Sequence, residues 1–184
     1  MADFKNLTET KTASEEIFSG RILHLYRDTV TLPNGHSTTR ETIRHVGAVA
    51  VVALNDANEV IVERQYRYPV DAVITEIPAG KLDSKTEDRL AAAKRELAEE
   101  TGYTADEWIS LGDYYPAAAY CDERITMYLA RGLHRGEQKL DEDEFLNFSF
   151  VKLSDLVDEI LSGRVTDGKT QAAVLKACLL LKND

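Results

Sequence analysis

Residues Gly47–Leu54 read GAVAVVAL, a run without a single polar side chain. A strand of this kind has no wet face, so it belongs inside a sheet that is covered on both sides. After the turn residues Asn55-Asp56-Ala57-Asn58, the half-alternating run Val60–Tyr66 follows, and the two together predict a central hairpin. The stretch from Ile17 to Tyr68 is rich in β-branched residues and broken again at Pro33-Asn34-Gly35, which predicts a series of antiparallel strands. A short strand at Thr75–Pro78 and others near Trp108–Tyr115, Arg124–Ala130 and Phe145–Val151 extend the β content. The cover comes from helices. Glu87–Thr101 carries Leu90, Ala93, Leu97 and Thr101 on one stripe, and two more helices start at about Ser154 and about Asp167. This order predicts an α/β/α sandwich around a mixed central sheet. Residues 1–45 are expected to form a separate N-terminal antiparallel strand layer, and residues 46–184 the main domain.

The middle helix has marked ends. Ser84 and Glu87 fit a capping box, and Gly102 suits the left-handed position that closes a helix. Between them KRELAEETGY places Glu96, Glu99 and Glu100 at i, i+3 and i+4, on one face. Like charges so close repel by roughly a few tenths of a kcal/mol per pair, and the C-terminal end of a helix disfavours anions further. A divalent cation removes that cost, because magnesium prefers rigidly held oxygen ligands and keeps positions for water and phosphate. Without other context, the same pattern reads as a solvated acidic face partly neutralised by Lys94 and Arg95.

Composition narrows the field. A formal charge of −10 over 184 residues lacks the basic footprint of a nucleic-acid binder. Met1–Phe18 is polar and acidic and no later run approaches the length of a membrane span, so a cytoplasmic location is expected. Cys121 and Cys178 have no motif spacing and read as structural residues.

The context of the three glutamates carries more than their spacing. Glu76-Ile-Pro-Ala-Gly80 precedes the helix, and Gly80, Glu87, Arg95, Glu96, Leu97, Glu99, Glu100, Gly102 and Tyr103 follow the pattern of the Nudix box. The chain thus resembles the Nudix hydrolases, with one departure: six residues rather than five separate Gly80 from Glu87. From about Phe18 onward the phrases GRILHLYRDTV, GAVAVVAL, VERQYRYP and EIPAG resemble the ADP-ribose pyrophosphatase branch in order.

That resemblance implies attack of water on a diphosphate phosphorus, with Mg2+, or Mn2+ in its place, bound by Glu96 and Glu100, by Glu99 directly or through water, and by the Ala79 carbonyl. A general base from the acidic run Asp141-Glu142-Asp143-Glu144 is implied at Glu144, with Glu142 second. By motif position Arg21 and Ile22 would lie near an adenine, Arg67 on the diphosphate, and Glu41 and Glu76 near ribose groups, with Arg64 and Arg44 as weaker phosphate candidates. Gly80 is expected to supply a special backbone conformation. In YPAAAYCDE, Tyr120 is expected to pack, with stacking on a substrate ring as the alternative. Similar proteins are homodimers whose N-terminal strands reach into the partner's pocket. The reaction implied is hydrolysis of ADP-ribose to AMP and ribose 5-phosphate. Its rivals are another nucleoside diphosphate sugar such as GDP-mannose and a non-catalytic nucleotide sensor, the latter disfavoured by the complete set of box glutamates.

Overall fold

The computed structural model describes residues 7–140 and 145–182. The chain forms two compact units, one comprising the residues up to His45 with Ala117–Glu123, the other Val46–Pro116 with the chain from Arg124 on.

The first unit is an antiparallel sheet in the order β1 (Thr10–Ser19), β2 (His24–Thr31), β3 (Ser37–Ile43). The β2–β3 turn closes with Gly35 at φ +84° and the Asn34 side chain accepting from the His36 N–H at 3.0 Å. Every residue of β1 is exposed, and only Asp28 and Val30 are buried among the unit's described residues. A sheet this thinly covered is marginal by itself. Asp28 accepts from the Ser14 hydroxyl and from Arg44 at 2.9 Å, and the Arg44 guanidinium lies 3.7 Å over the Tyr26 ring. The Ser14 hydroxyl, then Arg44 and Lys11, outweigh burial and hold the Asp28 carboxyl below its ordinary value. Ala117–Glu123 is fastened to the end of β3: Ile43 N–H donates to the Tyr120 carbonyl at 2.7 Å and Asp122 N–H to that of Ile43 at 3.1 Å. The Tyr120 side chain stays exposed, so the expectation that it packs does not hold within this unit.

The second unit contains β4 (Ala48–Ala53), β5 (Glu59–Arg67), β6 (Ala72–Glu76), β7 (Ala79–Lys81), α1 (Arg89–Thr101), β8 (Tyr103–Tyr114), β9 (Ile125–Arg135), β10 (Leu146–Lys152), α2 (Leu153–Leu161) and α3 (Gly168–Leu181). Its sheets run β7-β4-β9-β8 and β10-β5-β6. All six residues of β4 are buried. Ala48, Ala50 and Val52 pack in one core with Leu156 of α2 and Ala173, Val174 and Ala177 of α3; Val49, Val51 and Ala53 pack in another with Ala92, Ala93 and Leu97 of α1. Each fully buried Val or Leu contributes roughly 1.5–3 kcal/mol. Helices on both sides of a mixed sheet are the sandwich that the apolar run predicted.

Two expectations are corrected. The central hairpin does not form: β4 pairs antiparallel with β7 and parallel with β9, whereas β5 pairs with β10 and β6. Only an isolated bridge, Leu54 to Val60, joins the two runs. The intervening turn, with Asn58 at φ +58° and the Asn55 side chain accepting from the N–H groups of Ala57 and Glu59, carries the chain from one sheet to the other. Likewise, α1 begins two residues later than predicted, with Asp88 as its N-cap, accepting from Ala91 N–H at 2.8 Å. The Glu87 carboxylate is occupied elsewhere, accepting from Asp83 N–H at 2.6 Å and from Arg95 at 3.3 Å. Gly102 closes the helix at φ +74°, as the sequence predicts.

Candidate active site

Strand β7 and helix α1 place the box residues against each other. A Cβ on Gly80 would collide with the Glu96 carboxylate. Gly80 does not have a positive φ, so the glycine is there for space rather than for the unusual conformation the sequence suggested. One residue earlier, Ala79 N–H donates to Glu100 Oε2 at 2.9 Å. Glu100 is 4% exposed, the Glu96 side chain 13% and that of Glu99 45%, so the helical face turns one carboxylate into the fold, holds one at its edge and leaves one at the rim.

Arg95 links them. Its Nη1 donates to Glu96 at 2.8 Å and to Glu99 at 3.0 Å, and its Nη2 to Glu87 and to the Lys81 carbonyl, both at 3.3 Å. Burial opposes the charge on Arg95, but Glu96 first, then Glu99 and Asp83, outweigh it and push its pKa up. The repulsion predicted among the glutamates is therefore relieved in part by a guanidinium from their own helix. Relief also comes at the helix end. Gly136 N–H donates to the Gly102 carbonyl at 2.6 Å, the Gln138 side chain to that of Glu100 at 2.5 Å and Lys139 N–H to that of Glu99 at 2.9 Å. These donors satisfy the last carbonyls of the helix, whose partial negative charge disfavours anions at that end. A side chain on Gly102 would meet this strap, 2.8 Å from Gln138 N.

A second charged cluster lies beside the first. Glu76, 3% exposed, accepts a fork from Arg67 at 2.7 and 2.9 Å and a bond from Lys169. Lys169 also reaches Asp167 at 3.1 Å, and Asp167 caps α3 by accepting from Thr170 N–H at 2.9 Å. Burial alone would raise the Glu76 pKa; the fork from Arg67 and the charge of Lys169 reverse that and hold it below the ordinary value. Glu76 in turn raises Arg67, with Glu100 and Asp167 adding to the same effect. The sequence singles out Arg67 for a diphosphate and Glu76 for a ribose; it does not reveal that the two pair with each other, that Lys169 joins them on Glu76, or that Thr170 meets Ile77 beside them. The Asp-Gly-Lys-Thr run at the start of α3 marks a helix cap, and nothing local to it points across the fold to Glu76.

Arg21 and Ile22 sit in the exposed bend between β1 and β2, and Glu41 is an exposed residue of β3 lying 3.9 Å from Arg27, all in the first unit. Arg44 is committed to Asp28, and Arg64 is exposed on β5. Glu142 and Glu144 lie outside the described residues. Among the described residues no three acidic, cysteine or histidine side chains converge as a ready-made metal site. The donor set nevertheless suits a hard cation: three carboxylates within one turn, one beside an N–H donor and one in a cradle that any Cβ would fill. A carboxylate has about four acceptor positions, so a bond from Ala79 or Arg95 does not exhaust it.

Residues 44–173 match the NUDIX domain model, and residues 9–43 match that of the nucleoside diphosphate sugar hydrolase N-terminal domain. The chain is 43% identical to an ADP-ribose pyrophosphatase of Bacillus subtilis, covering 92% of each chain. It is 44% identical to a methanol dehydrogenase activator of Bacillus methanolicus, over 91% of this chain and 92% of the other. A solved structure of an ADP compounds hydrolase superposes with a TM-score of 0.82 at 22% identity, covering 95% of both chains, and shares the fold. With the box assembled on β7 and α1 and the family model spanning most of its length, this chain belongs to the Nudix hydrolases.

Proposed function

We propose that the protein hydrolyses the diphosphate bond of ADP-ribose, releasing AMP and ribose 5-phosphate, with magnesium as its metal and manganese as a substitute. The observation that carries the reading is the seating of two box carboxylates against one short segment, Glu100 on the Ala79 N–H and Glu96 over the bare Gly80. Similarity to an ADP-ribose pyrophosphatase along nearly the whole chain supports the substrate.

Glu96 and Glu100 would hold the cation, with Glu99 directly or through water and the Ala79 carbonyl completing the set. Magnesium bound there supplies positive charge that polarises the phosphate oxygens and makes phosphorus a better target for water. The chain's own part is orientation. Arg95 holds Glu96 and Glu99 in place. Arg67 has a side chain 43% exposed, aimed by its fork on Glu76, and offers its remaining guanidinium surface to a diphosphate. In the reaction, water oxygen bonds to phosphorus, the bridging P–O bond breaks, and the water proton passes to a base. We take Glu144 as that base, with Glu142 second.

We further read the protein as a homodimer in which Arg21, Ile22 and Glu41 serve a nucleoside pocket, Arg21 and Ile22 from the partner's side. The full exposure of β1, including Ile17 and Phe18, supports a partner for that strand. No described helix is long and apolar enough to cross a membrane, and two free cysteines accord with a reducing, cytoplasmic setting.

The test is AMP release by the purified protein from ADP-ribose, GDP-mannose and NADH at equal concentration, the last two followed through their own mononucleotide products. Magnesium-dependent preference for ADP-ribose is expected. Preference for GDP-mannose would keep the chemistry and overturn the substrate; turnover of none would favour a nucleotide sensor.

A further inference from the structure

The segment Glu76–Gly80, against which the box carboxylates are set, is fastened at successive residues from distant parts of the second unit. Glu76 is held by Arg67 and Lys169. Ile77 N–H donates to the Thr170 hydroxyl at 2.9 Å, Val51 N–H to the Pro78 carbonyl at 2.8 Å, and Ala79 N–H to Glu100 at 2.9 Å. Thr170 is fully buried, and its hydroxyl donates to Asp167 at 2.6 Å. A hydroxyl has one proton to give. With that proton on Asp167, the oxygen can meet Ile77 only as an acceptor, so the direction of both bonds is fixed.

Between the Thr170 contact and the Glu100 contact lies Pro78, whose ring fixes its own φ and restricts Ile77 to extended conformations. A shift of the Ile77 peptide is therefore passed along to Ala79 rather than absorbed by free rotation. The first turn of α3 is thus connected mechanically to the orientation of Glu100 on α1.

We propose that the Asp167–Thr170 turn is a positioning element of the hydrolytic site, with Thr170 the residue that sets the Ile77–Ala79 backbone and through it the carboxylate of Glu100. This rests on the reading that Glu96 and Glu100 hold a divalent cation. Partners one step behind a metal ligand typically carry about 10- to 100-fold in metal affinity; Thr170 acts on Glu100 through Ile77–Ala79, so the lower end of that range applies.

The test is Mn2+ binding without substrate, followed by electron paramagnetic resonance, in wild type, Thr170→Val and Thr170→Ser, with ADP-ribose kinetics alongside. Thr170→Val is expected to weaken Mn2+ about ten-fold and to raise the metal concentration for half-maximal hydrolysis by the same factor, with KM for ADP-ribose unchanged. Thr170→Ser, which keeps the hydroxyl, restores both. If Thr170→Val does not fold, Asp167→Gly takes its place, keeping a tolerated helix cap but removing the oxygen that orients the hydroxyl, and weakens Mn2+ in the same direction. A folded Thr170→Val or Asp167→Gly protein with wild-type Mn2+ affinity would overturn the proposal alone, as would a Thr170→Ser protein as impaired as Thr170→Val. A wild-type protein that binds no Mn2+ would overturn the metal reading and this proposal together.

Discussion

Replacing Gly80 by alanine puts a methyl group where the Glu96 carboxylate stands. A Cβ built on Gly80 falls 2.0 Å from Glu96 Cδ and 2.2 Å from each of its oxygens. Atoms in contact prefer roughly 3.5–4 Å, so Glu96 must withdraw by about 1.5 Å. Because Gly80 does not have a positive φ, alanine takes up the backbone without strain, and the pairing of β7 with β4 survives. The stability loss then comes mainly from the charge-assisted bond between Arg95 and Glu96, about 1.5 kcal/mol, at the low end because Arg95 is partly exposed and keeps Glu99. For a chain of this size that lowers Tm by roughly 3–6 °C. Misplacement of a ligand by an ångström or more costs about 10²-fold in rate. Magnesium-dependent AMP release from ADP-ribose, beside thermal melting followed by circular dichroism, separates the two effects. A Gly80→Ala enzyme with wild-type kcat would refute the argument, because Glu96 would then not need the position it holds. A collapse in Tm well beyond the few degrees expected would refute it from the other side, placing the damage in the fold.

Three further perturbations probe other joints. Asp88→Ala should lower stability by about 1 kcal/mol in urea unfolding while Ser84→Ala leaves it unchanged, and equal losses in both would return the cap to Ser84. Arg95→Lys should reduce kcat about 10- to 100-fold and lower Tm by roughly 3–6 °C, since an ammonium cannot reproduce the guanidinium's bonds to Glu96, Glu99, Glu87 and Lys81; a wild-type rate would show that Arg95 does not position the glutamates. Glu76 gives a pH signature. Its folded-state pKa is depressed below the unfolded value of about 4.3, so its contribution to stability is present above that value and is lost as pH falls through the folded one. Wild-type Tm should therefore fall from about pH 5 downward, and the Glu76→Gln profile should be flatter there though lower throughout; parallel profiles would contradict the linkage.

How much of this was legible in the sequence depended on whether a feature acts locally. Gly47–Leu54 reveals that both faces of β4 are buried, and the stripe along α1 reveals which side it covers, so the layers follow from one-dimensional pattern. The pairing of β4 with β9 does not: an apolar run specifies burial and not the neighbour, and β9 lies far along the chain. The same division holds at the site. Glu96, Glu99 and Glu100 share a helix, and their spacing puts them together. Lys169 and Thr170 meet Glu76 and Ile77 only because α3 packs back against the sheet, and a capping motif carries no mark of the strand it will touch. The shift of the α1 cap from Ser84 to Asp88 is a local competition that Asp88 won once Glu87 turned to Asp83 and Arg95. Gly80 was singled out for the wrong property, since sequence does not distinguish a glycine needed for φ from one needed for room.

The central claim is that the carboxylates of α1 hold a divalent cation on which diphosphate hydrolysis depends. Its most direct test is AMP release from ADP-ribose across a magnesium titration, with wild type and Glu100→Gln measured side by side and both confirmed folded. Expected are no turnover in chelator, a saturable rise with magnesium in wild type, and a variant about 10²-fold slower or worse at every concentration. Turnover of wild type in excess chelator, or a Glu100→Gln protein that keeps the wild-type magnesium curve, would contradict it.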